Sequence, residues 1–105
     1  MVRSMESLSE EYTRVTPRSR AQWERAKKSM PGGIIKGAYA AVPYPHYVAK
    51  AEGCYVWDLD GHRYVDFGNH HTTMIVGHSN PDVVQAIKDE ADRGFGPGGP
   101  TTAER

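Results

Sequence analysis

The hydrophobic and polar pattern is clearest in the middle of the chain, over residues 47–78. Three short runs rich in Tyr, Val, Trp and Phe are separated there by Glu52-Gly53 and Asp60-Gly61. An Asp-Gly pair between β-forming runs is a strong hairpin signal, because a type I′ turn needs positive φ at both central residues. The pattern therefore predicts a three-stranded antiparallel meander, with strands near 46–51, 54–58 and 63–67.

Helical signals precede the meander. Residues 1–15 are mostly polar, although Ser7 begins a capping-box pattern that favours a short helix through Val15. Thr16 followed by Pro17 is typical of an N-cap and a first helical residue. A narrow apolar stripe then continues until residues 31–33, where a Pro-Gly-Gly turn ends the predicted helix.

A second helix is predicted after the meander. Asn80 is a typical N-cap, Pro81 suits the first helical position, and apolar residues follow at helical spacing until Gly94. Residues 94–99 match G-x-G-x-x-G, but a dinucleotide-binding loop follows a strand, and here a helix precedes it. The run is predicted to be a loop leading to a helix that begins at Thr101 or the next residue.

Composition narrows the possible partners. The chain has 105 residues, 38% hydrophobic and 25% charged, with 13 basic and 13 acidic side chains. This balance gives no electrostatic basis for binding nucleic acid or an anionic membrane, and no apolar run has the length of a membrane span. The sequence predicts a cytoplasmic protein without nucleic-acid or membrane partners.

Residue types that often carry chemistry are sparse. The single cysteine, Cys54, lies in a strand pattern and is predicted to be a small buried hydrophobe rather than a nucleophile. Three histidines, His70, His71 and His78, suggest a zinc site. We reject it because neighbours on an extended chain point to opposite sides and no further ligand falls at the required spacing. No catalytic, cofactor-binding or metal-binding residue is assigned.

Two stretches resemble a known family. GCYVWDLDGHRYVDF and the following MIVGHSNPDVVQAI are similar to the beginning of class III aminotransferases, the pyridoxal-phosphate enzymes of fold type I. Glutamate-1-semialdehyde aminomutases and β-amino-acid aminotransferases have the most similar pattern. The segment MPGG at residues 30–33 and Pro100-Thr101 fall where that family has similar segments, so the resemblance covers residues 12–105.

The resemblance implies an incomplete enzyme. The expected fold is an α+β segment, the N-terminal part of a fold type I transferase that needs a large domain. It divides into a polar extension (1–15), a helix plus meander of the small-domain region (16–78), and a helix with a Gly-rich loop leading into the large domain (79–105). The complete enzyme is expected to be a homodimer that binds pyridoxal 5′-phosphate and small-molecule amino donors and acceptors. The family's cofactor lysine has no counterpart here, so the 105-residue chain alone is predicted to be inactive.

The resemblance also implies substrate-binding residues. A basic residue after the Pro-Gly-Gly turn binds a substrate carboxylate in the family. The matching residue is Lys36, where Arg is expected, and a small shift in alignment gives the role to Tyr39. His71 lies at a position that lines the substrate pocket in the family, and Thr72 is a second candidate beside it. Two other interpretations stay open: a stand-alone α+β interaction module, and a remnant without function.

Overall fold

The computed structural model describes residues 3–94 and 98–99 and shows an α+β segment, as predicted. Its strands form one antiparallel sheet in the order β1-β2-β3, which confirms the meander. The elements, in chain order, are α1 (Met5–Val15), α2 (Pro17–Ala26), 3-10 turns at Pro31–Gly33 and Gly37–Tyr39, β1 (Val48–Glu52), β2 (Tyr55–Asp58), β3 (Arg63–Val65), the single turn α3 (Asn69–Thr72) and α4 (Pro81–Ala91). None of the described helices has the length and hydrophobicity needed to cross a membrane.

The strands are shorter than the sequence predicts. β3 ends at Val65, so Phe67, which the predicted strand 63–67 includes, instead lies beyond the strand with 92% of its surface exposed. Cys54 lies in the turn between β1 and β2 and is exposed, so the prediction of a buried cysteine was wrong. The apolar and polar alternation predicted that Cys54 and Phe67 lie inside strands. The turn between β1 and β2 contains Cys54, and β3 ends before Asp66, so neither residue is part of a strand.

The two amino-terminal helices are capped differently from the prediction. Ser4, not Ser7, caps α1, and its Oγ accepts a hydrogen bond from the Ser7 amide at 3.1 Å. Thr16 occupies the predicted N-cap position of α2, but its hydroxyl donates to the Tyr12 carbonyl at 2.7 Å and makes no capping bond to the α2 amides. α2 also ends at Ala26, earlier than the Pro-Gly-Gly turn.

Asp60 provides the cap that Thr16 does not. Its two carboxylate oxygens accept hydrogen bonds from the Arg18 amide at 2.8 Å and the Ser19 amide at 3.1 Å. A carboxylate is favourable there because the first amides of a helix have no intrahelical acceptor and carry partial positive charge. The β2–β3 turn is thereby joined to the start of α2.

The largest buried apolar side chain among the described residues is Tyr44, which is 3% exposed. Its ring lies 5.0 Å from the ring of Tyr12 and 5.8 Å from that of Trp23. Its hydroxyl donates to the Thr16 carbonyl at 3.2 Å. Tyr44 therefore connects both helices to the loop that leads into β1, a loop for which the sequence predicted no structural role.

Asp58 organises the β2–β3 turn from inside. It is 2% exposed, and one oxygen accepts from the amides of Asp60 at 3.0 Å and His62 at 2.8 Å. The other accepts from His62 Nδ1 and from the Tyr64 hydroxyl, each at 2.9 Å. Burial alone raises the pKa of Asp58, but the hydrogen bonds from His62 and Tyr64 outweigh it and the pKa is lowered.

The pKa of Tyr64 shifts in the opposite direction to that of Asp58. Burial, together with the hydrogen bond to Asp58, raises the pKa of its phenol to about 12. The neutral phenol is favoured because it donates to a carboxylate, whereas a phenolate would face that negative charge.

Replacing Tyr64 by Phe should change the alkaline stability profile. The unfolded chain loses the phenolic proton near the ordinary pKa of 10.0, and the folded chain retains it to about 12. The stabilisation is therefore fully present below about pH 10 and is lost as the pH rises towards 12. We expect the free energy of unfolding to fall more steeply over this range in the wild type than in Tyr64→Phe, measured by denaturant titration with tryptophan fluorescence. Parallel profiles would contradict the hydrogen bond to Asp58.

Candidate functional site

Two of the residues predicted from the sequence lie together. Lys36 Nζ is 3.3 Å from His71 Nε2, although the residues are 35 positions apart. Lys36 directly precedes the 3-10 turn Gly37–Tyr39, and its Nζ also lies 5.8 Å from the centre of the Tyr39 ring. Both side chains are exposed. We call Lys36 and His71 the Lys-His pair.

The hydrogen bond of the Lys-His pair has a defined donor and acceptor. An ammonium group has three donors and no acceptor, so His71 Nε2 must accept from Lys36, which puts the proton of a neutral imidazole on Nδ1. The remaining Lys36 donors and His71 Nδ1–H are then available to a ligand. Such an arrangement suits an anion, and a carboxylate in particular, through charge-assisted hydrogen bonds.

His71 is carried by an unusual backbone turn. Residues Asn69, His70, His71 and Thr72 have φ values of 44°, 46°, 57° and 67°. The left-handed helical region costs an L-residue roughly 1–2 kcal/mol, and runs of it outside glycine are rare. This stretch, treated as extended in the rejection of a zinc site, is instead a left-handed turn.

Asp66 holds the start of this turn. Its Oδ1 accepts hydrogen bonds from the amides of Gly68 at 3.0 Å and Asn69 at 2.9 Å. Its Oδ2 accepts from His78 Nε2 at 2.6 Å. The hydrogen bond from His78 lowers the pKa of Asp66, and the two amides act in the same direction, so the carboxylate is ionised at neutral pH.

Sequence reasoning missed the role of Asp66 and considered His78 only as a zinc ligand. A signal was present, because Asp followed two residues later by Gly is typical of an Asp side chain that bonds the backbone ahead of it. Thr72, the third predicted residue, is exposed on the same turn as His71. Among the described residues, its side chain makes no hydrogen bond to the Lys-His pair.

Other candidate centres are less suitable. A cleft of about 290 Å³ opens beside α1, lined among others by Tyr12, His46 and Val65, but neither member of the Lys-His pair lines it. Within residues 3–94 and 98–99, no three His, Cys, Asp or Glu side chains are grouped to hold a metal ion. The Lys-His pair is therefore the candidate functional site.

The sequence profile of the family described as "Aminotransferase class-III" matches residues 37–98, more than half of the chain. The chain belongs to the class III aminotransferases. This result confirms the predicted family. The match includes His71 and Thr72 and begins one residue after Lys36.

Individual relatives agree with the family. A glutamate-1-semialdehyde 2,1-aminomutase of Methanothrix thermoacetophila is 44% identical over 86 residues, which are 82% of this chain and 20% of that enzyme. The structure of a β-phenylalanine aminotransferase from Variovorax paradoxus superposes with a TM-score of 0.83 at 31% identity, covering 91% of this chain and 22% of the other. A transaminase with pyridoxal phosphate bound gives a TM-score of 0.79 at 41% identity, over 86% and 21%. This class III chain thus spans about a fifth of the length of the relatives that it matches.

Thr72→Gly should stabilise the protein, contrary to the usual effect of glycine in a helical turn. Thr72 has φ 67°, and glycine, which lacks Cβ, adopts that conformation without steric cost. We expect the free energy of unfolding to rise by roughly 0.5–1 kcal/mol, after allowance for the greater entropy of an unfolded glycine.

The matched control is Ala86→Gly within the right-handed helix α4, which should lower the free energy of unfolding by about 0.5–1 kcal/mol. Urea denaturation of both variants measures whether each substitution raises or lowers the free energy of unfolding. A destabilised Thr72→Gly protein would show that residue 72 is not left-handed.

Proposed function

We propose that this chain is the substrate-facing, N-terminal part of a pyridoxal-phosphate-dependent aminotransferase or aminomutase of class III. In this proposal Lys36 binds a carboxylate of the amino substrate, and His71, with Thr72 beside it, contacts the remainder of the substrate. The observation that carries the proposal is the convergence of Lys36 and His71, 3.3 Å apart, from two separate segments.

The cofactor itself does not fit the described residues. A lysine that holds the aldehyde of pyridoxal phosphate works as an amine, which requires burial or a neighbouring cation to lower its pKa. All the lysines of this chain are exposed: Lys27, Lys28, Lys36, Lys50 and Lys88. We therefore assign cofactor binding and proton transfer to the remainder of the enzyme.

What the Lys-His pair contributes is recognition. An exposed ammonium attracts a carboxylate only weakly in water, because solvent screens the charge. Covering the pair with the remainder of the enzyme would lower the local dielectric constant and strengthen the same hydrogen bond. Lys36 offers one point of charge and not the planar fork of an arginine, which permits substrates whose carboxylates lie at different distances from the amino group.

The remaining features of the proposal concern the complete protein. We propose a homodimer acting on small-molecule amino donors and acceptors. Its compartment would be the cytoplasm, which the exposed thiol of Cys54 suits because free thiols persist under reducing conditions.

Lys36→Met in the complete enzyme tests the carboxylate assignment. The substitution keeps an unbranched stem and removes the charge. For an amino acid donor we expect KM to rise by one to two powers of ten, which corresponds to the loss of roughly 1.5–3 kcal/mol from a hydrogen bond to a charged group, with kcat much less affected. For a second donor, the amine that has the same structure but lacks the carboxylate, KM should not change. Steady-state kinetics with the two donors measure the difference.

The control is Lys88→Met, which removes an exposed lysine from α4, away from the pair. It should behave as wild type toward both donors. If Lys36→Met raises KM equally for the amino acid and the amine, or changes neither KM, Lys36 does not bind the carboxylate. A complete protein that transfers no amino group in the presence of pyridoxal phosphate would overturn the proposed function as a whole.

A further inference from the structure

We propose that Asp66 and His78 form a positioning pair that sets the orientation of His71 and thereby tunes which amino donors the site accepts. The inference rests on the proposed function of His71 and deepens it. Asp66 and His78 do not touch the Lys-His pair. They act through the backbone turn that carries His71.

The turn lies on the surface and is held by polar interactions. His70, His71 and Thr72 are exposed, so no apolar burial fixes their conformation. Within the turn, Thr73 N donates to Asn69 O at 3.1 Å and Thr73 Oγ1 donates to His70 O at 2.8 Å, beside longer bonds from Thr72 N to Gly68 O at 3.3 Å and from Met74 N to Asn69 O at 3.5 Å. A strained conformation persists only where its surroundings impose it. Asp66, which accepts from the two amides at the beginning of the turn, supplies that constraint.

His78 connects Asp66 to the sheet. Its backbone forms a two-bond bridge with Gly53, with N–O distances of 2.9 and 2.8 Å. The approach is close, because a Cβ added to Gly77 would lie 3.0 Å from the Gly53 carbonyl oxygen. The His78 and Asp66 side chains are 15% and 20% exposed, so their hydrogen bond is well shielded from water. A chain of hydrogen bonds therefore runs from the β1–β2 turn through His78 and Asp66 to the start of the turn that carries His71.

The same connection explains why Asp66 is a carboxylate. One oxygen must accept from two amides while the other accepts from His78 Nε2. An asparagine has one acceptor oxygen and would present N–H donors towards His78. It keeps the size of the side chain but loses the charge of the acceptor, so a bond that remains to His78 is a weaker, neutral one.

A double-mutant cycle in the complete enzyme tests the inference. The readout is donor discrimination, the ratio of kcat/KM for an α-amino acid to that for a β-amino acid. We expect Asp66→Asn to change this ratio on the order of 10-fold, in the direction of His71→Ala, because a shift of the contacting group by about 1 Å has effects of this size or larger. In a His71→Ala background, Asp66→Asn should change the ratio no further.

Asp60→Asn is the matched control, because Asp60 also accepts hydrogen bonds from two backbone amides, but at α2. It should lower thermal stability without changing donor discrimination. If Asp66→Asn yields no folded enzyme, His78→Phe, which keeps a ring but removes the donor and leaves both amide bonds to Asp66 in place, decides by the same criterion.

The outcomes separate the two proposals. Independent, additive effects of Asp66→Asn and His71→Ala, or an unchanged ratio in Asp66→Asn beside a changed ratio in His71→Ala, overturn the positioning role and leave the proposed function standing. An unchanged ratio in His71→Ala itself overturns the role of His71 and the positioning inference with it.

Discussion

Hydrogen bonds to three aspartate carboxylates organise this segment. Asp58 accepts four bonds inside the β2–β3 turn, Asp60 accepts two at the start of α2, and Asp66 accepts three after β3. Apolar burial among the described residues is limited, with Tyr44 and Ala26 as the buried hydrophobic side chains. Charged acceptors that each satisfy several donors therefore fix the geometry that a larger core fixes in other proteins.

Several side chains of this segment are exposed. The Lys-His pair is exposed, as are apolar side chains such as Phe67 and Ile75, at 92% and 88%. Exposed apolar surface of this kind is typical of an interaction surface. The chain spans about a fifth of the length of its relatives, and such a surface is consistent with packing against further protein.

Local signals were sufficient for most of the secondary structure. Asp60-Gly61 identified the hairpin, and Asn80-Pro81 identified the start of α4, because each pair has backbone requirements that few other residues meet. Local sequence could not predict that Asp60 caps α2, because Asp60 lies 42 and 41 residues along the chain from the amides that it binds. The left-handed turn was also unpredictable, because residues 69–72 contain no glycine. Lys36 and His71 became candidates through family resemblance, and no local pattern indicated that their side chains lie 3.3 Å apart.

The most direct test of the account is a crystal structure of the complete enzyme with pyridoxal phosphate and an amino acid substrate. The account predicts a substrate carboxylate within about 3 Å of Lys36 Nζ, with His71 beside the substrate and residues 69–72 at positive φ. A carboxylate bound by other residues, with the Lys-His pair facing away from the substrate, would contradict it.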